Sequence, residues 1–142
     1  REMLTFEKVL KVFQAYLDDD PLYEVVQTSH GYTLMAWEPH RNDWYSAEIQ
    51  KTPEDLRNAL LGTYANFLED KITGNDRDLT ATETEEIQQR CRELLEKCLI
   101  FFKNRNYNRR EMKKVKEKFL KLNPFGLLSC ILSVRRFTHG RR

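Results

Sequence analysis

The chain has 142 residues, with 24 Lys and Arg against 22 Asp and Glu, and its formal net charge is +2. A hydrophobic fraction of 40% is enough for a folded core, and only five Gly and four Pro argue against disorder. The longest mostly apolar run, residues 125–134, is about half of the roughly 20 residues that a membrane-spanning helix needs, so we expect no span. Three cysteines, an odd number, without a visible secretory signal predict free thiols and a cytoplasmic protein.

The near-neutral total conceals two oppositely charged regions. Residues 1–100 carry 11 basic and 20 acidic side chains, a net −9, whereas residues 101–142 carry 13 basic and 2 acidic ones, a net +11. Such a block of charge is typical of a segment that meets an anion, whether nucleic acid, a membrane or an acidic protein surface. We therefore predict an acidic α+β domain over residues 3–100 and a basic C-terminal extension over residues 101–142.

Helical periodicity predicts that the chain begins with a helix. Between Leu4 and Leu17 apolar residues recur every three or four positions, and Thr5 lies near the start of this run. The sequence Asp18, Asp19, Asp20 and Pro21 then ends the helix, in a turn that we expect to be solvated.

Three strands are expected next, because β-branched and aromatic residues are enriched there. The connector between the first two contains Gly31, which tolerates the positive φ that a tight hairpin requires. A second turn contains Pro39 and Asn42. The strands are predicted at residues 23–28, 32–37 and 44–49, forming a three-stranded antiparallel meander.

Two further helices are predicted from their start signals. Thr52, followed by Pro53 and two acidic residues, is typical of a capped helix start, and Thr80 with Glu83 matches the capping-box pattern. The inward face of the first of these helices is predicted to contain Leu56, Leu60, Tyr64, Phe67 and Leu68. The buried face of the second is predicted to contain Ile87, Cys91, Leu94, Leu95 and Cys98.

The apolar spacing of the last helix resumes, in the same heptad phase, at Met112. Either one long helix runs from about residue 82 to 122, or residues 104–108 form a turn that joins two antiparallel helices. The turn is favoured, because three asparagines in five residues are poor helix formers. The predicted architecture is therefore a helix, a meander and two to three C-terminal helices.

The basic helix is the strongest candidate for a binding surface. Its apolar residues recur at helical spacing, and its cations occupy the remaining faces, so the helix has four potential contacts: its own acidic domain, nucleic acid, another protein or a second copy, and a membrane surface. The candidate residues are Arg109, Arg110, Lys113, Lys114, Lys116, Lys118 and Lys121. Lysine outnumbers arginine and no base-reading motif is present, so binding to nucleic acid would be salt-sensitive and not sequence-specific.

A second candidate surface contains Trp37 and Trp44, which flank a turn with Arg41. Aromatic rings with a nearby cation on a sheet can stack on bases or anchor a protein partner. Strand alternation also allows some of these rings to pack in the core. The acidic surroundings count against direct contact with phosphates.

No catalytic, cofactor or metal signature is apparent. The three consecutive aspartates lack the alternating ligands of a calcium loop, and Cys91 and Cys98 are too far apart for a usual zinc pair. His30 and His40 are expected as surface turn residues, and the two cysteines as core thiols. We therefore expect a protein that is not an enzyme, with no cofactor and no small-molecule substrate.

The sequence resembles small uncharacterised accessory proteins of conjugative or transposon-like elements in gut Gram-positive bacteria. The resemblance is carried by MLTFEKVLKVFQAYLDDDPLYEVVQTSHGYTLMAWE at residues 3–38, TPEDLRNALLGTYANFLEDKIT at residues 52–73 and RDLTATETEEIQQRCRELLEKC at residues 77–98. It implies an accessory or regulatory protein of a mobile element and does not imply a specific activity. The expected function is thus interaction with a protein partner or self-association through the basic helix, and the alternative is nonspecific nucleic-acid binding.

Overall fold

Residues 3–99 are described by a computed structural model, and they form the predicted α+β arrangement of a helix, a three-stranded antiparallel sheet and two helices. They divide into two compact units, residues 3–60 and residues 61–99. The elements are α1 (Phe6–Asp19), β1 (Tyr23–Thr28), β2 (Gly31–Glu38), β3 (Asp43–Ile49), α2 (Pro53–Thr73) and α3 (Ala81–Leu99). The first five lie within two residues of their predicted positions, and α3 begins directly after the predicted cap, Thr80.

Helix α1 contacts the sheet at Tyr32 in the first unit. Thr5 caps the helix, because its Oγ1 accepts a hydrogen bond from the backbone N–H of Lys8 at 3.3 Å. The ring of Phe6 stacks on Tyr32 of β2, with 4.5 Å between ring centroids. Val9, Phe13 and Tyr16 form the buried stripe of the helix.

The sheet has the strand order β1-β2-β3, and both pairs are antiparallel. The first hairpin closes with Thr28 opposite Gly31, whose φ of +119° is accessible to glycine and strained for other residues. The second pair has an irregular register, since Ala36 is opposite Ser46 but Trp37 is opposite Trp44. One residue of β3, Tyr45, is therefore extra, which makes this a β-bulge.

The two faces of the sheet differ in burial. Leu34 and Ala36 point to the same side as Tyr32 and are buried, with exposed fractions of 7% and 3%. The opposite face contains Met35 and Trp37, which are half-buried, and Thr33, which is 5% exposed. Apart from Thr33, this second face is the more open side of the sheet.

Helix α2 is buried around most of its circumference. Its start is as predicted, with the Asp55 N–H donating to Thr52 Oγ1 at 3.1 Å. Of the five predicted inward residues, Leu56, Leu60 and Leu68 are buried, whereas Tyr64 and Phe67 are half-buried. Polar residues are buried as well, and these are Arg57, Thr63, Asn66, Glu69 and Thr73.

Helix α3 begins with the predicted capping box. The Glu83 N–H donates to Thr80 Oγ1 at 3.2 Å, and the Thr80 N–H donates to Glu83 Oε2 at 3.0 Å. In the second unit the Arg90 guanidinium lies beside the Tyr64 hydroxyl, so α3 packs along α2 there. The predicted continuation or turn at residues 104–108, and the boundary at residue 100, lie outside the described residues. Within residues 3–99, the helices lack the combination of length and apolarity needed to cross a bilayer.

Candidate functional site

The bulge in the second strand pair brings the two tryptophans into contact. Trp37 and Trp44 are directly opposite each other in the register, and their ring centroids are 5.0 Å apart at an interplanar angle of 77°. This edge-to-face arrangement is a favourable geometry for aromatic rings. Trp44 remains 38% exposed, and Trp37 is half-buried. Neither ring belongs to the buried core of the described residues.

The turn between the two tryptophans is held by Glu38. Its carbonyl accepts a hydrogen bond from the Arg41 N–H at 3.2 Å, and its Oε1 accepts one from the His40 N–H at 3.1 Å. Asn42 adopts a φ of +52°, which asparagine tolerates better than most residues. Arg41, the cation predicted to accompany the rings, is exposed in this turn.

The tryptophans belong to a larger apolar surface, which we call the Trp face. Register places Met35 opposite Ala47, and Thr33 opposite both Val26 and Ile49, on the same side of the sheet as the two rings. Ile49 is 52% exposed, which makes it more accessible than Trp44. The Trp face consists of Val26, Met35, Trp37, Trp44, Ala47 and Ile49.

Sequence periodicity alone did not identify Met35, Ala47 and Ile49 as neighbours of Trp44. Simple alternation along β3 places Trp44 and Ile49 on opposite faces, because their numbers differ by five. The extra residue at Tyr45 shifts the alternation and returns them to one face. No sequence signal marked this bulge.

The unit that carries the Trp face is acidic. Residues 3–60 carry ten acidic and five basic side chains, a net charge of −5. Glu24 is exposed and lies opposite Met35 in the register, so it borders the face on β1. Asp43 and Glu48, both exposed on β3, lie opposite Glu38 and Leu34 and therefore belong to the other side of the sheet. This balance favours a cationic partner and disfavours phosphate groups.

The prediction that the three aspartates at the end of α1 are solvated needs a correction, since only two of them are. Asp18 and Asp19 are exposed, but Asp20 is 4% exposed. Its carboxylate accepts hydrogen bonds from the Tyr16 hydroxyl at 2.7 Å and from the Leu22 N–H at 3.0 Å. Burial raises the pKa of Asp20, and these two bonds partly oppose the rise. Asp20 is thus a structural link between α1 and β1.

The remaining candidate side chains are dispersed. His30 and His40 are exposed in separate turns, and Cys91 and Cys98 are buried, as expected. Burial raises the pKa of Cys91 to about 12, which suppresses its nucleophilicity. In residues 3–99 there is no group of three or more His, Cys, Asp or Glu side chains arranged to hold a metal ion.

The basic candidates, Arg109, Arg110, Lys113, Lys114, Lys116, Lys118 and Lys121, lie outside the part of the chain that the structure describes, and their role stays a prediction. Comparisons with protein-family models, with curated proteins and with solved structures give no match for this chain.

Proposed function

We propose that this chain is a non-enzymatic interaction protein that binds a protein partner through the Trp face. The observation that carries the proposal is the exposure of Trp44, which contacts Trp37, and of Ile49 further along the same face of the sheet. The aromatic pair is already in contact, so little side-chain entropy would be lost when a partner covers it.

The composition of the Trp face fits a protein contact. Tryptophan and methionine are enriched in protein interfaces, and truncation of a central aromatic anchor commonly costs about 2 kcal/mol or more of binding free energy. An aromatic pair beside two aliphatic side chains offers such an anchor. Exposed Glu24 on β1 and exposed Arg41 in the turn between the tryptophans would form part of the polar rim that surrounds most interface cores.

The basic extension would supply a second contact in this proposal. Its net charge of +11 suits attraction to an acidic surface, whether of the same partner or of another copy of the chain. An accessory role in a mobile element remains part of the proposal and rests on the sequence resemblance.

Site-specific photo-crosslinking tests the use of the Trp face. Benzoylphenylalanine placed at Trp44 should give a discrete covalent adduct with one protein, identified by mass spectrometry, in cells that express the full chain. The matched control has the same group at Lys11, which is exposed on α1 of the same unit. Equal adducts from both positions, or none from Trp44, would refute the proposal.

Nucleic-acid binding is the competing function, because the +11 extension could contact phosphates. Fluorescence anisotropy with labelled duplex and single-stranded DNA at two salt concentrations separates the two. The proposed function predicts no binding even at low salt. Binding that appears at low salt and weakens steeply with added salt would instead establish the nucleic-acid alternative.

A further inference from the structure

We infer that the Trp face accepts a single amphipathic helix with basic flanks from a protein partner, an inference that rests on the proposed function and specifies the partner's chemistry. Three properties of the first unit carry it: the size of the face, the disruption of the neighbouring sheet edge, and the charge around the apolar residues.

The size of the face matches one helix. Three strands spaced about 4.8 Å apart give a width of roughly 14 Å, and the eight residues of β2 span about 26 Å. The resulting area of roughly 370 Å² is less than half of the about 800 Å² per partner that a standard protein interface buries. A second copy docked face to face would bring two units of net charge −5 together, which disfavours that occupant. A helix about 10 Å wide covers the face in about 17 residues.

The alternative of an added strand is disfavoured at β3, which forms one edge of the sheet. The bulge at Tyr45 interrupts the regular spacing of backbone groups that a new strand would need. Exposed Asp43 and Glu48 place like charges along the same strand. Bulges and charged side chains are common means by which proteins protect sheet edges from strand addition. The apolar side chains of the Trp face project from the face of the sheet and not from this edge.

The charge balance determines the polarity of the partner's flanks. The net −5 of residues 3–60, with Glu24 at the border of the face, attracts a cationic segment and repels an acidic one. The partner segment should thus carry apolar residues at spacings of three and four, which cover Trp44 and Ile49, and Lys or Arg on its remaining faces.

The experiment titrates the full chain with synthetic peptides of about 17 residues, the length matching the face. The first contains Leu, Ala and Lys with Leu at helical spacing, the second replaces every Lys with Glu, and the third disperses the Leu residues at the same composition. Binding is followed by calorimetry and by the indole N–H signals of the two tryptophans. The first peptide should shift both signals and bind at least about tenfold more tightly than the other two.

Variants of the chain decide whether binding uses the Trp face. The double variant Trp44→Ser and Ile49→Ser keeps the charge and should weaken binding at least about tenfold. Met3→Ser removes an apolar side chain that is 73% exposed in the same unit, and should change affinity less than about twofold. The inference would be overturned if the Lys peptide bound the double variant as tightly as the natural chain, or if the Glu peptide bound the natural chain as tightly as the Lys peptide.

Two further outcomes separate the inference from the proposed function. If the basic amphipathic peptide fails to shift the indole signals while crosslinking from position 44 persists, the helix inference is wrong and the proposed function stands. If crosslinking is lost as well, both are wrong. Concentration-dependent dimers that disappear in the double variant would identify a second copy as the occupant and would also overturn the inference.

Discussion

Tyr16 and Asp20 show how single polar groups can stabilise the first unit. The Tyr16 hydroxyl donates to a buried carboxylate at 2.7 Å, whereas the Tyr32 hydroxyl donates to the exposed carboxylate of Glu7 at 3.1 Å. Because an unmet buried acceptor is costly, Tyr16→Phe should lower the free energy of unfolding by about 1.5–3 kcal/mol. The matched variant Tyr32→Phe should have a smaller effect, because the carboxylate that it leaves is exposed to water.

Urea denaturation of both variants across acidic and neutral pH tests this difference. The folded-state pKa of Asp20 is raised, so the folded chain binds its proton more readily than the unfolded chain does, and this group's contribution falls as pH rises through its titration. A protonated carboxyl group is neutral, so losing the hydrogen bond from Tyr16 destabilises the folded chain less when Asp20 is protonated. The cost of Tyr16→Phe should therefore be smaller at acidic pH, and equal costs for the two variants at neutral pH would contradict the prediction.

Cys91 should be chemically silent in the folded chain. Its side chain is 1% exposed and its pKa is about 12, so about one thiol in 10⁴ is ionised at pH 8. We expect iodoacetamide to modify Cys91 only after urea unfolds the protein, as measured by peptide mapping with mass spectrometry. Rapid modification of Cys91 under native conditions would contradict its burial.

Single residues were predictable where a local rule governs them. Thr5, Thr52 and Thr80 each cap a helix, because a hydroxyl at the first non-helical position satisfies a nearby N–H whatever the tertiary context. Asp20 was expected to be solvated but is buried. Its burial depends on how the chain turns into β1, and no local rule describes that turn. The neighbours of Trp44 were missed because a bulge depends on pairing between strands.

The start of α3 illustrates an element stabilised by charge. Arg77 contacts Glu83 through two bonds of 2.9 Å, and Glu83 also caps the helix. These contacts lower the pKa of Glu83 to about 2, with the bond from Arg77 as the largest cause. The folded-state value lies below the ordinary value of 4.5, so the contribution to stability is present above about pH 4.5 and is lost as pH falls toward 2.

Replacing Glu83 tests this pH dependence. Glu83→Gln should lower the urea midpoint at pH 7, and its difference from the natural chain should shrink as pH falls from about 4.5 to 2. In an Arg77→Gln background the same substitution should have a smaller effect, because the main partner of the carboxylate is absent. A difference that is independent of pH, or of Arg77, would contradict the role assigned to this pair.

Helices α1 and α2 differed in how much of their buried surface the sequence predicted. For α1 the apolar stripe gave the buried face, because one side of this helix meets the sheet and the other meets solvent. For α2 the spacing of apolar residues predicted only some of the buried side chains. Thr63, Asn66 and Glu69 are buried although polar, and periodicity of apolar residues carries no information about polar groups that lie inside.

The charge asymmetry of the whole chain can be related to the Trp face. Residues 3–60 carry both an acidic excess and an exposed apolar surface, so the net charge can select the partner's charge while the rings supply contact area. The basic residues after position 100 keep the potential contacts predicted from the sequence, and the acidic domain of the same chain is one of them.

The two units should unfold together, because α2 runs through the boundary between residues 60 and 61. Unfolding one unit alone would end the helix there and leave about four carbonyl or N–H groups without intrahelical partners, at a net cost of about 1 kcal/mol each. Both tryptophans lie in residues 3–60, so their fluorescence reports the first unit, whereas far-ultraviolet circular dichroism also reports α3. We expect both signals to give the same urea midpoint. A fluorescence transition that precedes the loss of helical signal would show that the continuous helix does not couple the units, and Trp44→Phe checks that Trp37 alone reports the same midpoint.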